Sequence, residues 1–291
     1  MERVLAGYHP IVSFSYFIVV IGTSMLYMNP VFQVISLIGA LSYLIILDRY
    51  KTLKLIKFIF VMVLVIAIIN MIFVNRGSTV LFYLRSNPVT LESLFYGFVS
   101  GLMLGSVMVW FSCYNEIMTS DKFLYIFGKI TPTIALIVSM TLRLIPKLIE
   151  QTKIIANSQK TLGIDYNEGN ISLKIKSCMR ILSILVTWAL EDAVQTADSM
   201  KARGYGIKKR TSFQIFEFIN RDMVMLVYIL ISGMFLLAGY INGYGQLIFY
   251  PTIQKIDTDI LSNMLYITFF IISILPSIQE LRERYKWRYL E

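Results

Sequence analysis

The stretch from Leu55 to Val74 reads LIKFIFVMVLVIAIINMIFV and carries one charged side chain, Lys57, in 20 residues. About 20 apolar residues in a helix match the hydrocarbon core of a bilayer, which is roughly 30 Å thick. Asn70 is the main polar residue late in this run, where a side-chain amide more often bonds a neighbouring helix than an ion. The stretch therefore predicts a membrane-spanning helix.

Five further stretches have the same character. Hydrophobic residues make up 56% of the 291-residue chain and charged residues 15%, a composition outside the usual range of soluble domains. The five stretches are Ile11–Met28, Val31–Leu47, Leu94–Cys113, Met223–Ile241 and Ile260–Ile278. None of the six stretches contains Asp, Glu or His. Together they predict an all-α integral membrane protein with about six transmembrane helices.

The basic residues predict how the chain crosses the membrane. The chain has 27 Lys and Arg against 18 Asp and Glu, a formal charge of +9. An N-terminus on the inside places 24 of the 27 cations on the cytoplasmic side and leaves Arg76, Arg85 and Lys255 outside. Positive residues favour the cytoplasmic side, so both termini are predicted to be cytoplasmic. Because this bias accounts for the charge, a nucleic-acid partner is not expected.

The section 114–221 is too basic to be membrane-embedded. Its two apolar runs, Ile130–Leu142 and Ile181–Leu190, are 13 and 10 residues long, which is short for a span. We predict that this section is a cytoplasmic domain between an N-terminal domain of four spans (1–113) and a C-terminal domain of two spans with a basic tail (222–291).

Two long amphipathic helices are predicted in the cytoplasmic section. The first begins at Thr131 and Pro132, since proline is favoured in the first turn of a helix, and runs to Gly163. The second runs from about Ile171 to Gly204. Small residues along one side of the second helix would let the other cross it closely: Ala189, Ala193 and Ala197. Glu191 and Asp192 are expected to meet Lys or Arg on the crossing helix.

The two helices end alike. SQKTLG (Ser158–Gly163) and SMKARG (Ser199–Gly204) share the pattern S-x-K-x-x-G. One interpretation is structural, because glycine ends helices and a cation in the last turn offsets the helix dipole. The other is that both ends bind partners. Two matched ends on helices too polar to span and too apolar to stand free favour binding.

Glycines recur every four residues in the fourth predicted span, at Gly97, Gly101 and Gly105. Small residues at this spacing let another helix backbone approach closely. The neighbour is expected either within the chain's own helix bundle or in a separate membrane subunit.

These features resemble the T component of energy-coupling factor transporters. The resemblance covers nearly the whole chain, from the opening His9 and Pro10 to the two cytoplasmic helices, and is most specific in ADSMKARGYG (Ala197–Gly206). It implies a prokaryotic plasma-membrane scaffold that couples two cytoplasmic ATP-binding subunits to a small membrane subunit, which binds a vitamin or other micronutrient. It also implies that each coupling helix ends in an Ala-Arg-Gly motif seated in a groove of one ATPase.

One of the two motifs departs from the family pattern. Ala202, Arg203 and Gly204 form a complete motif, whereas Thr161, Leu162 and Gly163 lack the arginine, with Lys160 beside them as the remaining cation. Arginine and lysine are not equivalent where a forked donor is needed. The resemblance therefore implies asymmetric docking to two different ATPases.

No catalytic residue, cofactor or metal site is predicted. His9 is the single histidine and is expected to open the first helix, and Cys113 and Cys178 lack neighbours at metal-ligand spacing. The chain also lacks a Gly-Lys-Ser/Thr phosphate-binding loop, so ATPase activity is expected in partner chains. The alternative function is a membrane scaffold that recruits another cytoplasmic partner and has no transport role.

Overall fold

The computed structural model describes the chain except residues 1–3, 75, 85–86, 129–130, 164–169, 208–215, 255–258 and 289–291. Its residues form two compact units, Met1–Ser120 with Phe216–Glu291, and Asp121–Ile215. The first unit contains a short 3₁₀ helix (Val4–Gly7), a hairpin of β1 (Val80–Leu84) and β2 (Asn87–Thr90), and these helices: α1 (Pro10–Leu26), α2 (Pro30–Leu47), α3 (Arg49–Phe73), α4 (Leu91–Ile117), α8 (Asn220–Ile241) and α9 (Ile260–Arg288). The second contains α5 (Ser120–Gly128), α6 (Pro132–Thr161) and α7 (Ile171–Ala202).

The protein is an all-α membrane protein. Among the described residues, six helices are long and apolar enough to cross a membrane: α2, α3, α4, α6, α8 and α9. This set differs in one member from the six predicted spans, because α1 is a shorter apolar helix of 17 residues and α6 qualifies instead by length and composition. At 1.5 Å per residue α1 is still about 26 Å long. The cytoplasmic position of α6 stays a prediction from its charges.

Sequence signals at the helix starts explain where the first helices begin. His9 caps α1, since its Nδ1 accepts a hydrogen bond from the Ile11 amide at 3.3 Å. Asn29 and Asp48 do the same for α2 and α3, and Pro10 and Pro30 occupy the first turns. These caps satisfy amides that have no partner inside the helix. The expected helix-entry role of His9 is confirmed.

The core of the first unit is aromatic. Tyr16 and Phe17 of α1 meet Trp110 of α4 edge to face, with ring centroids 6.0 and 6.3 Å apart. At the other end of α1, Tyr27 stacks on Phe32 of α2 at 4.1 Å. All five rings are buried. Rings of this size contribute large buried areas, so they fix how α1, α2 and α4 pack.

Hydrogen bonds between buried polar groups join the same helices. Ser36 bonds Ser24 at 2.7 Å and accepts from the Trp110 indole at 3.0 Å. Gln33 donates to the carbonyls of Ser24 and Tyr27 at the end of α1, both at 2.7 Å. Carbonyls at a helix end need such partners, most of all where water is excluded. The Asn29–Pro30 turn is thereby held rigidly.

The glycine stripe of α4 lies against α3. A Cβ placed on Gly97 would come within 2.9 Å of the Ala67 Cα, and one on Gly101 within 3.0 Å of the Val63 Cα. At Gly105 it would meet Ile59 at 2.7 Å. The chain's own α3 therefore occupies this surface, with backbone against backbone.

Candidate functional site

The candidate site consists of the C-terminal ends of α6 and α7. In α7 the backbone turns at Gly204, whose φ of +82° lies in the left-handed region. The Gly204 amide donates to the Lys201 carbonyl at 2.9 Å, and the Tyr205 amide donates to the Met200 carbonyl at 3.0 Å. These two bonds define a Schellman motif, which closes a helix and satisfies its last carbonyls.

The end of α6 has the same backbone arrangement as far as it is described. Gly163 has a φ of +77°, and its amide donates to the Lys160 carbonyl at 3.0 Å. The Thr161 hydroxyl donates back to the Ser158 carbonyl at 2.8 Å. The two glycines and the two lysines three residues before them are thus equivalent in conformation as well as in sequence.

Side chains at the two ends are exposed but differ in chemistry. Ala202 and Arg203 are exposed at the end of α7, and the Arg203 guanidinium makes no hydrogen bond or ion pair with any residue that the structure describes, while its backbone amide donates to the Ser199 carbonyl at 3.1 Å. The corresponding position in α6 is Leu162, which is 69% exposed. An exposed guanidinium can reach carboxylates or carbonyls of a partner, whereas an exposed leucine offers only apolar area.

The crossing of α6 and α7 lies well before these ends. Ile155 and Ala156 of α6 are buried against Ile181 of α7, with Leu185 packed beside them. An ion pair extends the contact, from Lys147 Nζ to Asp192 Oδ1 at 2.5 Å, and the same ammonium lies 5.1 Å from the centre of the Trp188 ring. The expected pairing of Asp192 with a cation of the other helix is confirmed, while Glu191 accepts from Gln195 of its own helix.

The predicted crossing residues lie mostly outside this contact. Ala189 is half-buried, but Ala193 and Ala197 are exposed. The residues of α7 that meet α6 lie one turn or more before Ala193 or beside the predicted stripe, and they recur at helical spacing: Ile181, Leu185, Trp188 and Asp192. Larger apolar side chains bury more area than alanine, so they determine the packed face. The i, i+4, i+7, i+11 spacing of these four residues was the signal available in the sequence.

Both helices expose apolar side chains away from their crossing. On α6 these include Ile134, Ile137 and Ile149, and on α7 Met179, Leu190 and Val194. Exposed apolar area of this extent is unusual for a helix in water and marks a surface that is covered by lipid or protein.

Potential metal-ligand side chains do not cluster among the described residues. These residues contain no group of three or more His, Cys, Asp or Glu that could hold a metal ion. Cys113 is buried and Cys178 is exposed, and neither is in a disulfide.

The fold and site define a class: an integral membrane protein of apolar helices with two long amphipathic helices that end in matched, glycine-closed turns. The family model CbiQ, described as cobalt transport protein, matches residues 5–213, well over half of the chain.

Curated relatives carry the name energy-coupling factor transporter transmembrane protein EcfT. The protein of Lactococcus lactis subsp. cremoris is 31% identical over 187 residues, which are 60% of this chain and 70% of that protein. Those of Streptococcus equi subsp. equi and Lactobacillus helveticus are 36% and 35% identical over 104 and 118 residues. These two matches cover 35% and 40% of this chain but only 39% and 43% of the relatives' own lengths. The chain belongs to the CbiQ family and is a T component of the energy-coupling factor type.

Proposed function

We propose that the chain is the membrane coupling subunit of an ATP-driven importer of a vitamin or other micronutrient in a prokaryotic plasma membrane. It transmits the motions of two cytoplasmic ATP-binding subunits to a separate, small substrate-binding membrane subunit, and ATP hydrolysis takes place in the partner chains. Both termini are cytoplasmic. Membership in the family supports the proposal.

The matched ends of α6 and α7 carry the proposal. Each end combines an exposed last turn, a lysine and a glycine with positive φ, which ends the helix at that residue. A helix end of this form can enter a groove on a partner. At Ala202–Arg203–Gly204 the two small residues add little bulk beside the arginine, so its guanidinium can reach groups at the bottom of that groove. An arginine that loses its water in such a groove is a frequent binding hot spot.

The difference between the two ends supports two different ATPases. Arg203 offers a planar set of donors to carboxylates or carbonyls. The α6 end presents Lys160 and the exposed Leu162 instead. We expect the α7 tip to bind its ATPase through charge-assisted bonds and the α6 tip to bind the other mainly through apolar contact.

The small crossing contact suits a moving pair of helices. Three residues are buried between α6 and α7. The Lys147–Asp192 ion pair between the two helices is partly exposed, with half of the Lys147 side chain in solvent. An exposed ion pair stabilises by about 1 kcal/mol or less. ATP binding would close the ATPases, draw the two tips together and change this crossing, which would tilt the substrate-binding subunit so that its site opens inward.

Charge reversal at the α7 tip tests the proposal. In the assembled complex, Arg203→Glu is expected to lower ATPase co-purification and solute uptake at least about tenfold, because two or more charge-assisted bonds are lost and a like charge faces the partner's acceptors. Lys176→Glu is the matched control, an exposed cation about 27 residues upstream on the same helix. If Arg203→Glu retains both ATPases and uptake as the control does, the coupling role is wrong.

A further inference from the structure

A cavity lies between α8 and α9 in the first unit, next to the start of α1. It has a volume of about 420 Å³ and is lined by Tyr8, Arg221, Val224, Met225, Tyr228, Leu275 and Gln279. This volume falls within the range of sites that hold small organic molecules. Val224 is 71% exposed, so the cavity opens sideways from the helix pair along α8.

Apolar and polar groups are separated along the cavity. Met225, Tyr228 and Leu275 form its inner part, and Arg221 lies at the first turn of α8, about 10 Å from Tyr228 along the helix axis. In the orientation that the basic residues predict, Arg221 is at the level of the cytoplasmic headgroups and the apolar part reaches into the hydrocarbon. The cavity is therefore polar where a lipid is polar and apolar where a lipid is apolar.

Contacts with Tyr8 and Gly7 position the Arg221 side chain and still leave some of its N–H donors without a partner in these contacts. Its guanidinium carbon lies 4.3 Å from the centre of the Tyr8 ring, and its Nη2 donates to the Gly7 carbonyl at 3.3 Å. Half of the side chain is exposed. Because a guanidinium has five N–H donors in a planar fork, these contacts leave donors that can face a phosphate.

Two carboxylates lie near Arg221 but outside the lining of the cavity. Asp222 is buried, its Oδ2 accepts from the Ile219 amide, and its Oδ1 forms a long ion pair with Arg221 Nε at 3.9 Å, which offsets part of the arginine's charge without occupying its donors in a hydrogen bond. Glu283 is near enough to act on the charge of Tyr8 but does not line the cavity. Burial raises the pKa of the Tyr8 hydroxyl, so Tyr8 stays neutral and adds no negative charge. Among the described lining residues, Arg221 carries the one full charge.

We propose that this cavity binds an anionic phospholipid of the cytoplasmic leaflet, with its phosphodiester on Arg221 and an acyl chain along Met225, Tyr228 and Leu275. Basic pockets between membrane helices at this level are suited to lipid headgroups. The site would fasten α8, α9 and the start of α1 to the inner leaflet. It requires that the chain spans the membrane in the orientation that the basic residues predict, but it does not depend on the coupling role and goes beyond it.

Binding of fluorescent phosphatidylglycerol to the purified complex in mild detergent tests the proposal. Arg221→Gln is expected to weaken binding about tenfold, the loss of a charge-assisted bond, and Arg221→Lys to restore part of it. Val224→Trp, at an exposed position, is expected to abolish binding by filling the mouth. Lys57→Gln, an exposed cation outside the cavity and predicted at the same membrane surface, is expected to bind as the wild type does.

Competition separates a lipid site from its two simpler alternatives. Unlabelled phosphatidylglycerol should displace the probe, whereas diacylglycerol and inorganic phosphate should not. Displacement by diacylglycerol would mean an apolar groove without headgroup recognition, and displacement by inorganic phosphate would mean a site for the free anion; either result overturns the proposal. Unchanged binding in Arg221→Gln or in Val224→Trp overturns it as well, provided that both variants remain monodisperse.

Discussion

Gly204 determines the shape of the α7 tip because its φ of +82° is a conformation that residues with a Cβ avoid. Space is not the constraint, since a Cβ there would meet its nearest neighbour, the Ile207 Cδ1, at an ordinary 3.5 Å. The left-handed conformation costs an L-residue roughly 1–2 kcal/mol. A substitution at Gly204 is therefore expected to destabilise the turn that closes α7, directly beside Arg203.

Gly204→Ala is expected to loosen the last turn of α7. A loss of about 1–2 kcal/mol corresponds to a factor of about 5–30 in the opening of that turn. Hydrogen exchange should therefore be faster by that factor at the amides of Gly204 and Tyr205, which close the turn. Gly22→Ala is the control, because that position is helical and a Cβ there meets nothing within 4 Å. Equal exchange in both variants would show that the glycine conformation does not hold the tip.

At the scale of elements, the contact between α3 and α4 depends on three glycines, and the contact between α6 and α7 depends on a few apolar residues. The first contact brings the Val63 Cα to within 3.0 Å of a Cβ placed on Gly101. The second leaves most of both helices exposed. The α3–α4 pair is closely packed along its glycines, whereas the α6–α7 pair has a small interface, which suits the proposed change of crossing angle.

Gly101→Leu is expected to separate α3 from α4. The side chain has no room against the Val63 backbone, and overpacking of this kind costs about 1–3 kcal/mol or more. The midpoint of thermal unfolding in detergent should fall clearly. Leu104→Phe adds volume on an exposed face of the same helix and should leave the midpoint nearly unchanged. A stable Gly101→Leu would contradict the tight packing described for this pair.

At the scale of the whole molecule, apolar runs predicted five of the six helices that are long and apolar enough to span, but not α6 and not the helix limits. α3 begins at Arg49 rather than near Leu55, because Lys and Arg can continue a helix while their long side chains reach the membrane surface. Glycine signals predicted where α6 and α7 end, with Gly163 and Gly204 both in the left-handed conformation.

The candidate site was only partly predictable from the sequence. The glycine ends and the pairing of Asp192 were visible in it, and the crossing was predicted at Ala189, Ala193 and Ala197, whereas the residue of α7 buried in the described contact is Ile181. Neighbouring faces of an amphipathic helix differ by one residue position, so the spacing of Ile181, Leu185, Trp188 and Asp192 indicated this face but competed with the alanine stripe beside it. What Arg203 binds could not be predicted from geometry, because its partner is proposed to be another chain.

Purification with partners tests the central claim most directly. The chain would be tagged at its C-terminus, isolated from its native membrane in mild detergent and analysed by mass spectrometry. The account predicts that two different nucleotide-binding proteins and one small hydrophobic protein co-purify, and that the small protein indicates the solute class. Recovery of the chain alone, or with partners that include no ATPase, would contradict the coupling role and leave the ends of α6 and α7 as well-closed helices without a docking function.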